Sequence, residues 1–93
     1  MEKANSISIE ECCVYYNIEV SFVQKLDEHG LIELNRSDET MYITFEQLSD
    51  LEKYMHMHYE LEINLEGLET IKHLLDRVHY LQQEINRLKG ESE

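Results

Sequence analysis

The chain has 93 residues, 42% hydrophobic and 30% charged, with no proline and a net charge of -12, which suits one globular domain with a modest core. No stretch approaches the roughly 20 apolar residues that span a bilayer, the first residues lack the basic-then-apolar order of a secretory signal, and the two cysteines, Cys12 and Cys13, are adjacent and cannot staple distant segments. Together these predict a protein of the reducing cytoplasm, whose negative surface repels phosphate backbones and anionic lipids and steers basic partners inward.

Ser8-Ile9-Glu10-Glu11 has the form of a capping box, with the serine oxygen accepting from the Glu11 N–H and the Glu11 carboxylate from the Ser8 N–H. Ile7 and Cys12 stand in the matching hydrophobic-staple positions. The helix that follows places Ile9, Cys12, Cys13 and Tyr16 on one face and stops near Asn17. A second box, Ser21-Phe22-Val23-Gln24, starts a helix that turns Phe22, Val23 and Leu26 inward. It ends at Gly30, which accepts the left-handed backbone that closes helices. Two short helices joined across residues 17–20 have helix-turn-helix spacing.

Leu31-Ile32-Glu33-Leu34 and Thr40-Met41-Tyr42-Ile43-Thr44 are β-prone runs on either side of a polar stretch, and predict a hairpin, the wing. Thr44-Phe45-Glu46-Gln47 reads as a third box, with Ile43 and Leu48 as its staple. The helix after it carries Phe45, Leu48, Leu51, Tyr54, Met55, His58 and Tyr59 on one broad apolar face and ends around Leu61. Asn64 can cap a last helix, stapled by Ile63 and Leu68, that nothing interrupts before about Lys89 and Gly90. The predicted fold class is therefore mainly α: a winged helix-turn-helix with a short β-hairpin wing over residues 1–63, and a long C-terminal helix over residues 64–93, in a single domain.

Within that last helix Ile71, Val78 and Ile85 fall at heptad a, and Leu74, Leu81 and Leu88 at heptad d. β-Branched a and leucine d favour two strands in a parallel coiled coil, in which Glu84 would face Lys89 of a second copy. The repeat predicts a homodimer. The competing expectation is that the stripe packs on the chain's own core, since Leu68 and Leu75 flank it.

The charge is uneven. Residues 1–44 hold nine acids against three bases, residues 45–63 five against one, and residues 64–93 six against four. A helix-turn-helix protein sets lysine and arginine against phosphates. Here the second helix offers Lys25 and Gln24 beside Asp27 and Glu28, and Arg36 in the wing loop is followed by Asp38 and Glu39. Neutralising about six phosphates needs more cations than this segment holds, so nucleic-acid binding and membrane binding are both disfavoured. No nucleophile triad, phosphate loop or paired-carboxylate arrangement is recognisable, so the chain is not expected to be an enzyme or to need a cofactor. Metal binding is not expected either: His56 and His58 point to different sides of a helix, His73 and His79 are six apart, and adjacent cysteines lack a zinc knuckle's spacer. Cys13 fits a small core residue and His58 a hydrogen-bonded core histidine.

The order of elements and the run Leu26-Asp27-Glu28-His29-Gly30-Leu31-Ile32-Glu33 resemble the MerR-type winged helix-turn-helix. Thr40 to Ile43, Tyr59-Glu60-Leu61-Glu62-Ile63-Asn64, Leu65-Glu66-Gly67-Leu68 and the tail from Leu74-Leu75-Asp76-Arg77 to Leu81-Gln82-Gln83-Glu84-Ile85 are similar to the CbpM-like chaperone-modulator family. That resemblance implies an adaptor that binds the J-domain of a DnaJ/CbpA-type co-chaperone and inhibits its action with a DnaK-type chaperone. Asp27, Glu28, Glu52, Glu60 and Glu62 are the acids expected to meet such a basic partner, and Ile71, Leu74, Val78, Leu81, Ile85 and Leu88 the residues expected to join two copies. The alternatives are a MerR-like DNA-binding transcriptional regulator and an adaptor for some other basic protein.

Overall fold

A strand absent from the sequence reading comes first. In the computed structural model, which describes residues 5–92, β1 (Ser6–Ser8) lies antiparallel to the strand Thr40–Thr44, with Ile7 opposite Ile43. Three residues are too few for a period-two pattern to register. Ser8 ends this strand and caps α1 (Ile9–Tyr16): its Oγ accepts from the Glu11 N–H at 3.1 Å. Ile9, Cys12 and Cys13 are buried, and Tyr16 is half-buried at the helix end. Asn17 stops the helix in the left-handed region (φ 59°), where its own N–H reaches Val14 O and the Ile18 N–H reaches Cys13 O.

α2 (Val20–Glu28) starts before the serine expected to cap it. Glu19 is the N-cap and gives no side-chain bond, while Ser21 lies inside the first turn with its Oγ donating to Glu19 Oε1 at 3.3 Å. The start follows packing: Ile18 and Val20 sit against the core, and that burial outweighs a capping bond of about 1 kcal/mol. The other end is as expected. Gly30 (φ +74°) lets its N–H bond Asp27 O and the Leu31 N–H bond Leu26 O, and both leucines are buried.

The wing is displaced from its expected position. Its strands are β2 (Asn35–Ser37) and β3 (Thr40–Thr44), with Ser37 opposite Thr40, and the sheet order is β1-β3-β2. Leu31-Ile32-Glu33-Leu34 is not a strand, because side chains satisfy its backbone instead. Gln47 Oε1 accepts from the Glu33 N–H and Gln47 Nε2 donates to Glu33 O, each at 2.7 Å, and Asp27 Oδ1 accepts from the Leu34 N–H at 3.2 Å. Leu31 and Ile32 are thereby free to fill the core. Their hydrophobicity, which in sequence resembles a strand signal, marks a buried loop.

Residues 45–60 form one continuous helical run of three kinds: a 3-10 turn (Phe45–Gln47), α3 (Leu48–Met55) and a π-helical turn (His56–Glu60). Thr44 precedes the run without making a side-chain cap. Gln47, assigned to the third box, is taken up by Glu33, and Phe45 lies exposed on the outside of that turn. Leu51 and Tyr54 are buried as expected. The π turn inserts a residue into the helical phase, so Met57 packs inward and Tyr59, expected inside, is exposed.

Glu62 (φ 59°) closes this run, with the Ile63 N–H bonded to Met57 O. Asn64 then caps α4 (Leu65–Ser92) as expected, its Oδ1 accepting from the Gly67 N–H at 2.8 Å. Leu68 is fully buried, and His29 contacts Glu69, tying the end of α2 to α4. The core joins α1, α2, β3, α3 and this first part of α4. The arrangement is a winged helix-turn-helix, mainly helical, with a three-stranded sheet and a long C-terminal helix. Among the described residues no helix is long and apolar enough to cross a membrane.

Candidate partner-binding surfaces

The face that a winged helix-turn-helix turns toward DNA is formed by α2 and the β2–β3 wing. Its cations are Lys25, in the last turn of α2, and Arg36, whose Nη2 lies 3.5 Å from Met41 Sδ. Between them stand Glu28, exposed at the end of α2, and the turn acids Asp38 and Glu39. Asp27 is not an exposed acid: it is half-buried and occupied by the Leu34 N–H. Electrostatically the face is neutral to acidic, with no basic stripe to track a phosphate backbone.

A second surface lies on the outside of α1. Because Ile9, Cys12, Cys13 and Tyr16 turn inward, Glu10, Glu11, Val14 and Tyr15 turn out, and Val14 and Tyr15 are 81% and 78% exposed. The sequence held this signal: an inward face at those positions leaves two large apolar residues with nothing of their own helix to bury them. Tyr15 meets Tyr16 edge-to-face, with ring centroids 4.9 Å apart. Tyr16 in turn donates its hydroxyl to Glu52 Oε2 at 2.7 Å. Burial first, then the bond to Glu52, push the Tyr16 phenol well above its usual range.

Beyond Tyr16 the surface dips into a groove of about 310 Å³ between the end of α1 and residues 52–60. Ile18, Met55 and Tyr59 give it apolar walls, and Glu52 and Glu60 stand at it, Glu60 within 2.6 Å of His56 Nδ1. Of the acids expected to meet a partner, then, Glu52 and Glu60 share one groove, Asp27 and Glu28 lie at the end of α2, and Glu62 occupies the turn before α4.

His58 is the hydrogen-bonded histidine expected: its Nδ1 donates to Ile63 O at 2.9 Å while its ring stacks on Phe22 at 4.8 Å. Cys12 and Cys13 are buried free thiols. Burial, then the neighbouring Cys13, raise the Cys12 thiol to about 11, and burial followed by Glu10 raises Cys13. Such thiols are poor nucleophiles and poor metal ligands. Among the described residues no group of three or more His, Cys, Asp or Glu is placed to hold a metal ion.

The third surface is α4. Its heptad stripe is half-buried at Ile71 and open from Leu74 to Leu88, with Leu74 56% and Leu81 50% exposed. On α4 the core takes in Leu68, and the stripe from Leu74 onward does not pack on it, contrary to that competing expectation. Leu75, expected to face inward, is also exposed, because the core ends below it. Ion pairs run along the helix, Lys72 with Asp76 at 3.0 Å and Arg87 with Glu84 at 2.9 Å.

A family model described as MerR HTH family regulatory protein matches residues 7–90. No curated protein and no solved structure matches the chain.

Proposed function

We propose a role for this chain from one premise: it belongs to the MerR helix-turn-helix family of regulatory proteins. It acts as an acidic regulatory adaptor that binds the J-domain of a DnaJ/CbpA-type co-chaperone and keeps it from its DnaK-type chaperone. The observation that carries the adaptor reading is the charge on the helix-turn-helix face. Lys25 and Arg36 are outnumbered there by acids, whereas the groove beside α1 offers Glu52 and Glu60 to a cation. The resemblance of residues 40–43, 59–68 and 74–85 to chaperone modulators supplies the partner. The open stripe from Leu74 to Leu88 supports a homodimer, in which two copies bury that seam against each other.

Titration calorimetry of the full chain with an isolated J-domain tests this. Saturable binding that weakens steadily as salt is raised from about 50 mM is expected, together with loss of J-domain-stimulated ATP hydrolysis by the chaperone. Absence of binding at low salt, with retardation of duplex DNA in its place, would favour a DNA-reading regulator.

A further inference from the structure

We infer that the outer face of α1, continued into the groove between α1 and residues 52–60, is the docking surface, and that its occupant is a basic amphipathic helix. The inference rests on the adaptor reading above and assigns it a location. Three observations converge. Val14 and Tyr15 are the two most exposed large apolar side chains described, and they sit side by side on one helix. An adjacent pair this exposed, continuous with further apolar surface, is the kind of patch that marks an interaction site. Next, the apolar surface continues: the Tyr15–Tyr16 ring contact links it to the walls formed by Ile18, Met55 and Tyr59. Finally, its margins are acidic throughout. Glu10 and Glu11 line the hollow at Val14, Glu52 and Glu60 line the groove together with His56, which contacts Glu60, and no lysine or arginine lines either.

These features specify the partner's chemistry. Apolar anchors spaced one helical turn apart fit over Val14 and Tyr15, as in helix-in-groove recognition. Lysines or arginines flanking those anchors meet carboxylates on both margins. An arginine entering the groove finds Glu52 and Glu60 to pair with and the Tyr59 ring to stack on. A neutral or acidic helix of the same shape would desolvate those carboxylates with no cation of its own to offset the cost, so the surface also discriminates. Glu28, Asp38 and Glu39 lie on other elements and take no part.

The test uses the isotope-labelled full chain and two probes: a synthetic helical peptide with leucine anchors and flanking arginines, and an isolated J-domain. The proposal expects amide shifts at residues 10–16 and 52–60 with the peptide. It also expects at least tenfold weaker binding after Val14→Ser with Tyr15→Ser, and unchanged binding after Asp38→Lys with Glu39→Lys. Val14 and Tyr15 are so exposed that their replacement leaves the fold intact, which the unperturbed remainder of the spectrum verifies. A peptide with glutamates for arginines should not bind. Shifts confined to α2, the wing or α4, or no shifts with the basic peptide, overturn the inference. The two readings separate cleanly. If the peptide binds here and the J-domain binds nowhere, the surface stands and the co-chaperone assignment falls. If the J-domain binds but shifts residues elsewhere, the assignment stands and the surface falls.

Discussion

The winged core and the outer part of α4 contain similar proportions of leucine, isoleucine and valine, yet they use them in opposite ways. In the core, Ile9, Val23, Leu26, Ile43 and Leu51 are all but inaccessible, and they come from four elements. Along α4, Leu68 is the last residue to be buried; every heptad residue from Leu74 onward is about half exposed. Apolar periodicity announces a helix face in both regions. Only the number of other elements within reach decides whether that face closes on the chain itself or awaits another surface.

The comparison is most sharply broken by a cavity. Leu51→Ala, at 0% exposure, should cost about 2–5 kcal/mol, measured as a fall in the urea midpoint. A loss similar to that of Leu81→Ala in the monomer would mean that the two regions are not energetically distinct. The core also carries a signature in pH. The Cys12 thiol ionises near 11 in the fold against an ordinary 9.0, so folding favours the protonated form. The stability this contributes is present below pH 9 and is lost as pH rises through about 11. Tyr16, Tyr54, Tyr59 and Cys13 shift in the same direction. The urea midpoint should therefore decline across that window, less steeply in Cys12→Ala; a flat profile would contradict the burial argument.

For the outer part of α4 the expected change is in association. Val78→Asp with Leu81→Asp places charges in the seam, and should convert a sedimenting dimer to monomer while leaving the near-ultraviolet signature of the core unchanged. Each tenfold loss of association corresponds to about 1.4 kcal/mol. Wild-type chain whose melting temperature does not vary with its concentration would show that the seam is not an interface between copies.

The core's helices were legible in the sequence because their inward residues repeat at helical spacing and their ends carry explicit stops. Asn17, Gly30 and Asn64 act as expected, and so does the Ser8 cap. What was not legible depends on contacts between distant residues. Gln47 gives its side chain to Glu33 across 14 residues of sequence, which makes a loop of an apparent strand and removes the third capping box. β1 exists only because β3 pairs with it. The π turn moves Tyr59 out and Met57 in, a phase change that a regular 3.6-residue period cannot foresee. The candidate surface is legible in its charges and not in its apolar part. Charge alone points to Glu52 and Glu60, whereas Val14 and Tyr15 stand out only once the rest of their helix is known to face inward.

The smallest expected effects test where along α4 the boundary between the regions falls. Replacing glycine by alanine inside a helix ordinarily stabilises by about 0.5–1 kcal/mol, since alanine has less backbone freedom to lose. At Gly90 a Cβ would meet nothing within 4 Å, so Gly90→Ala should raise the helical content and, slightly, the melting temperature. At Gly67 a Cβ would lie 2.7 Å from Ile63 Cγ2 and 3.1 Å from Asn64 Oδ1. Ile63 packs against the core and Asn64 holds the cap, so neither can yield without loosening the joint between core and helix. There the steric cost of about 1–3 kcal/mol for overpacking exceeds the gain in propensity, and Gly67→Ala should destabilise. Opposite signs from the same substitution, read by thermal melts of the two variants side by side, would place the last anchored turn of α4 near Leu68. Stabilisation by both would move that boundary toward the N-terminus and leave the whole helix free to follow a partner.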